Sequence, residues 1–267
     1  TLQTALNQPG KANVIFVSTD QPNRAAGEAG EAALAAALKP KLEDYGLKLE
    51  PAGEVAPGAE LSADALVLPD AVVRAVQAKT GITSAQPVVT YMANLLTAGE
   101  GDAQRKTPYS TITGVNSTAQ LGPLVDEKGH PITLANDEIA LNRWAADDLE
   151  VKVGDPIRVK YYEPESTHGK LVERTTPPLK LRAVVDLETV DGKPTLAADP
   201  KLTPELAGVT DQKSISDWEL PFELVEKVRG KDEDYWNDYR TTPKAFVSLA
   251  TAEKFWSSRF GRYTSIR

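Results

Sequence analysis

Apolar residues in this chain come in short runs, and none approaches the roughly eighteen consecutive positions that a membrane-spanning helix needs. Val14-Ile15-Phe16-Val17, Ala65-Leu66-Val67-Leu68, Pro87 to Ala93, Ile157 to Tyr162, Leu179 to Leu187 and Ala245-Phe246-Val247 are strand-length. Pro9-Gly10, Pro69-Asp70 and Val153-Gly154-Asp155 punctuate them as turns. Between the strands lie short helical patterns. Leu34, Leu38, Leu42 and Tyr45 keep helical spacing in an Ala/Glu-rich stretch, with Pro40 as a break and Gly46 as a closing residue. Further helices are predicted over 71–79, 142–149, 204–207 and 251–256. The expected fold class is α+β: a mixed-sheet core with packed helices, plus a second, smaller α/β subdomain.

The rest of the chain alternates extended and irregular stretches. Residues 97–106 read as a polar loop or hairpin tip, and 108–115 as extended. Asp126 to Pro131 reads as a hairpin turn. Residues 163–178 and 191–229 are too polar and Pro-rich for regular structure. The tail, with its helix, Gly261 and then Tyr263 to Ile266, echoes the opening Leu2 to Leu6, Gly10 and Ala12 to Val17. Paired in one layer, these units would bring the two ends of the sequence together, as insertion between two membrane helices requires. Thr1 to Leu6 open inside a helical pattern without a basic leader, and Tyr263 to Arg267 stop inside a strand pattern. Both ends read as cut from a longer protein.

Charge and composition narrow the function. A formal net charge of −8, with a pI near 5.0, is the wrong sign for nucleic acid or for tight docking on anionic lipid. No cysteine is present, which excludes disulfides, thiolate metal sites and cysteine nucleophiles. The phosphate-cradling glycine motifs and the Gly-x-Ser-x-Gly elbow are absent, and Gly27-Glu28-Ala29-Gly30 sits in an Ala-rich helical pattern. His130 lies in a turn, Gly129-His130-Pro131. His168, near Glu163 and Glu165, is the one place where acid–base or metal chemistry is conceivable, and nothing else in the sequence completes such a site. Asp232-Glu233-Asp234 lacks calcium-loop spacing and reads as a helix start. Trp144 and Trp256 are expected core anchors. Trp218 and Trp236, with Phe222, Tyr235 and Tyr239, are the candidate partner-contact residues, because aromatic groups dominate contact energetics. No catalytic residue, metal or cofactor is expected.

The segment from Glu138 to Val159 (EIALNRWAADDLEVKVGDPIRV) contains a strand pattern, a short helix and the V-x-V-G-D-x-I turn of Val151 to Ile157. It resembles the strand, helix, Gly-Asp turn, strand element of extracytoplasmic domains in FtsX-like/MacB-type ABC transporter permeases. The run Pro243 to Ala252 is similar to the strand–helix unit before that family's second membrane helix. Tyr162 to Gly169 and Tyr263 to Arg267 look like one bacterial subgroup. The resemblance runs from about Pro108 to Arg267. It implies a membrane-proximal, Porter-like core from residues 1–23 and 107–267, and an inserted, Sabre-like subdomain at 24–106. It implies a non-catalytic, monomeric domain on the periplasmic face of the bacterial inner membrane. Its partners would be the flanking membrane helices, a separate ATP-binding subunit and a periplasmic protein, with no nucleic acid. The domain would couple ATP hydrolysis to that partner or to export of a lipoprotein, lipid, peptide or drug. The segments 163–178 and 191–240 are longer than a minimal MacB-type core needs. A free-standing binding module, or a hydrolase built around His168, are the other readings of the residues.

Overall fold

A computed structural model describes residues 28–39, 41–53, 55, 58–79, 84–119, 121–165, 170–188, 192–220, 224 and 226–267. The chain divides into two compact units, Thr1–Tyr45 and Gly46–Arg267. In the first, α1 (Glu28–Leu38) is followed by a 3-10 turn at Leu42–Tyr45. Leu38 and Tyr45 are exposed there, at 62% and 66%. The helix at Leu2 to Leu6, the strand at Ala12 to Val17 and the break at Pro40 lie outside the described residues.

The second unit opens with the hairpin β1 (Leu47–Pro51) and β2 (Ala59–Ala63), then α2 (Asp70–Ala78). A long hairpin follows, β3 (Pro87–Ala98) and β4 (Arg105–Gly114), across the expected 97–106 turn. Next come β5 (Glu138–Asn142), α3 (Arg143–Asp148), β6 (Pro156–Tyr162), β7 (Glu173–Thr175) and β8 (Leu179–Val185). The chain ends through α4 (Gly230–Tyr239), β9 (Ala245–Val247), α5 (Leu249–Trp256) and β10 (Ser265–Ile266).

Among the described residues, six of the ten strands close on themselves in the order β3-β4-β9-β5-β8-β6, and β6 returns to β3 through Leu95↔Lys160 to Ala98↔Ile157. This overturns the expected α+β architecture of helices packed on a mixed sheet. The molecule is mostly a closed β-barrel with four additional strands and a few short helices. The helical patterns are real but small: the four α-helices of this unit run 9, 6, 10 and 8 residues. They cap and brace a barrel instead of forming a layer. The expected helix at 204–207 is absent, and Ala65 to Leu68 forms a turn, with Leu66 at φ +66°, although Leu68 is fully buried. The hydrophobicity of that run reflects burial, not strand pairing.

The register shows what fills the barrel. Leu96 faces Val159, Ala98 faces Ile157, Ile157 faces Leu179, Ile139 faces Leu181 and Val247, and Ile112 and Leu141 both face Ala245. Directly paired residues share a face, so these positions from all six strands line one interior, and all lie in one apolar cluster. The opposite face of β5, β8 and β9 is buried as well. Ala140, Ala183, Val185 and Phe246 join a second cluster with Leu121, Leu124, Leu196 and Leu202 from the connecting loops. Strands buried on both faces are continuous in hydrophobicity, which is why Ala245-Phe246-Val247 and Leu141 carry no alternation. α5 closes against β4, where a Cβ on Gly114 would lie 2.1 Å from the Ala252 Cβ. Glycine is required there for the helix to approach.

Candidate functional site

The segment that carried the family resemblance folds as strand, helix, turn, strand. Asn142 caps α3 by accepting from the Ala145 amide at 2.8 Å. Gly154 adopts φ +103°, and the Asp155 carboxylate accepts from the Lys152 amide. The turn is then stitched to β8 by Gly154 N–H to Leu181 O and Leu181 N–H to Asp155 O. It is a structural turn, with every polar group of the Gly-Asp pair named here turned toward the fold's own backbone.

Of the candidate partner-contact residues, Tyr235 and Trp236 are each only 4% exposed, Trp218 is half-buried, Tyr239 is 39% exposed, and Phe222 lies outside the described residues. Trp218 meets the Trp236 ring edge-on at 5.0 Å. Tyr235 packs between Trp144 and Tyr239, its hydroxyl accepting from Asn142 and donating to the Thr242 carbonyl. Burial pushes the Tyr235 phenol well above its ordinary pKa.

Beneath this aromatic layer sits a charged cluster that the sequence reading missed. Arg229 stands at the N-terminal boundary of α4 and donates to Asp232 and to Asp148, which also meets Lys231 and Thr107. The side chains of Asp148 and Asp232 are 3% and 1% exposed. Burial works against the ionised Asp148 carboxyl, but hydrogen bonds from Arg229, Lys231 and Thr107 outweigh it and hold the pKa below the usual range. Lys244, 3% exposed, places its ammonium 4.5 Å from the Trp144 ring centre and 4.7 Å from that of Tyr235. Burial lowers its pKa to about 8, against the pull of Asp232 and Asp148. A lysine immediately before an apolar strand, after Pro243, was the only sequence signal of this arrangement.

A larger concavity lies elsewhere. A cleft of 670 Å³ lies between the outward face of β1, β2 and β10 and the segments 200–211 and 240–241. Arg240 forms part of its wall at φ +52°, held by bonds to the Thr210 and Gln212 carbonyls and by its seat 4.3 Å above the Trp236 ring. Trp236 thus backs the cleft from behind. On the cleft floor Ser265 is 3% exposed, and its hydroxyl has no hydrogen-bond partner among the described residues.

The acid–base alternative finds its carboxylates occupied. Glu163 is bonded by Arg174 and Glu165 by Arg259, while His168 lies outside the described residues. His130 is an exposed turn residue whose amide bonds Asp126. In the acidic run, Asp232 caps α4 and Glu233 accepts from Ser214, Ile215 and Ser216. Among the described residues no three His, Cys, Asp or Glu side chains are placed to hold a metal ion, and no helix is long and apolar enough to cross a membrane. No protein-family model matches the chain, and no curated protein matches it.

Proposed function

We propose that this chain is the extracytoplasmic domain of a permease of the FtsX/MacB type, a non-catalytic module that couples ATP hydrolysis elsewhere to a partner or an exported substrate. The observation that carries the reading is the Glu138–Val159 segment, on which the resemblance rests and which is built as strand, capped helix, Gly-Asp turn and strand. The barrel is not the fold the family resemblance implied, so the proposal rests on this unit and on the sequence around it.

No cysteine lies in this sequence, so a single one can be introduced here once any cysteine elsewhere in the full-length product is replaced by serine. Val153, 58% exposed at the Gly-Asp turn, is replaced by cysteine in the full-length product, and intact cells are treated with a membrane-impermeant maleimide. Labelling without lysis, on protein that sediments with the inner membrane and co-purifies with an ATP-binding subunit, is the expected result. Labelling only after lysis would sink the proposal. A second reading, a free-standing periplasmic or surface binding module, is favoured by the open cleft. It predicts labelled protein released in the soluble periplasmic or extracellular fraction.

A further inference from the structure

The cleft has the size of a small-ligand site, for which roughly 300–1,000 Å³ is usual. Its charge is unbalanced in one direction. Each of its cations is engaged: Lys48 lies 3.0 Å from Asp64, Lys201 Nζ donates to the Pro51 carbonyl, and Arg240 is held by two carbonyls. Among the carboxylates, Asp64 is paired with Lys48 and Glu60 with Arg267. Glu50, Glu205 and Asp211 line the cleft and have no ion-pair partner among the described residues. Glu50 projects from β1 and Glu205 from the loop opposite, and both line the cleft with Lys48. Five carboxylates line the cleft against three cations, a surplus of two negative charges.

A surplus of acid alone would be an ordinary solvated surface. The floor distinguishes this one. Ser265 pairs with Ser62 across β10 and β2, both line the cleft, and the Ser265 hydroxyl is buried without a partner. An unsatisfied buried hydroxyl costs about 1–3 kcal/mol until something bonds it. A donor entering between the two walls would satisfy it, while the neighbouring Ala63, Pro204 and Ala207 offer an apolar lane for methylene groups. An anion is disfavoured by the surplus negative charge, and the described acids do not gather as metal ligands.

We propose that this cleft binds a primary ammonium group on a flexible carbon chain, the group that a polyamine and a lysine side chain have in common. The ammonium sits between Glu50 and Glu205, and its chain runs over Ser62 and Ser265. The inference goes beyond the permease reading and holds equally for a free-standing module.

Titration calorimetry at low salt tests it with two probes, spermidine and tetralysine, on the full chain. The expected result is saturable one-site binding, weakened about tenfold or more by the double substitution Glu50→Gln/Glu205→Gln, as loss of charge-assisted bonds requires. The control Asp234→Asn/Asp238→Asn, which removes the same charge from exposed α4 positions outside the cleft, should leave affinity unchanged. Ser265→Ala should weaken binding while leaving the unfolding transition in place or raised. Tighter spermidine binding assigns the cleft to free polyamines, and tighter tetralysine binding to a chain-borne lysine. Absence of binding by both probes, or equal weakening in the cleft and control variants, overturns the proposal, the latter because it would reveal only attraction to the net charge.

Discussion

Lys244 is held where an ammonium is costly, and its neighbours explain how. The charged groups that act on it belong to one cluster: Asp148 at the end of α3, with Arg229 and Asp232 at the start of α4. The carboxylates are already committed to Arg229 and Lys231, so Lys244 is left with ring faces for partners. Its folded pKa, about 8, lies below the ordinary 10.5. Folding therefore expels a proton between those two values, and the penalty is fully present below about pH 8 and relieved as pH rises toward 10.5. Lys244→Met removes that linkage. Relative to the variant, the parent should gain of order 3 kcal/mol between pH 8 and 10.5, from about 1.4 kcal/mol per unit. Denaturant unfolding of both proteins across that range checks it, and a constant difference would show that Lys244 titrates normally. Asp148 behaves with the opposite sign. Its pKa is lowered, so its contribution is present above the ordinary carboxylate range and lost as pH falls through its folded value. Asp148→Asn should cost about 2 kcal/mol at pH 7, less than a fully buried pair because Arg229 is a quarter exposed, and should flatten the acid limb of the stability curve.

At the level of elements, α5 approaches β4 so closely at Gly114 that an added Cβ would lie 2.1 Å from the Ala252 Cβ. Gly114→Ala drives a methyl into Ala252, and overpacking of this kind costs about 1–3 kcal/mol. Ala252→Gly alone weakens α5 by about 1 kcal/mol. Combined, the two should cost less than their sum, because the second change opens the space that the first needs. Thermal unfolding of the two single variants and the double closes this cycle, and simple additivity would mean that α5 does not bear on Gly114. Elements whose signals are local were legible from sequence. β5, α3 and β6 follow from an Asn142 cap, a Gly154-Asp155 turn and short apolar runs, and β9 and α5 from Ala245-Phe246-Val247 followed by the Ser248 cap. Elements defined by distant partners were not. The barrel closes only when β3 meets β6, some sixty positions later, and neither strand records that pairing in its own pattern. β2, with Glu60, Ser62 and Ala63, is polar enough to pass for loop, and β7 is a three-residue polar strand. The cleft was invisible for the same reason, since its walls come from residues 48–64, 200–211 and 240–265.

The Gly46–Arg267 unit depends on long-range pairing throughout, from β10 seated between β2 and β3 to Arg267 buried between Glu60 and Asp199. Among the described residues, both apolar clusters draw their members from Leu47 onward. Within the first unit, the described Leu38, Leu42 and Tyr45 side chains are exposed and bury little. Since buried apolar area is the dominant favourable term in folding, the stability of the 46–267 barrel should be intrinsic to it. A chain beginning at Gly46 is therefore expected to unfold in one cooperative transition, with a midpoint within a few degrees of the full chain. Hydrogen exchange should be slowest in β3, β4, β5 and β9, whose amides sit inside the closed ladder. A truncated chain that loses its cooperative transition would show instead that residues before Gly46 complete the core. That outcome would support the expectation that residues 1–23 belong with 107–267.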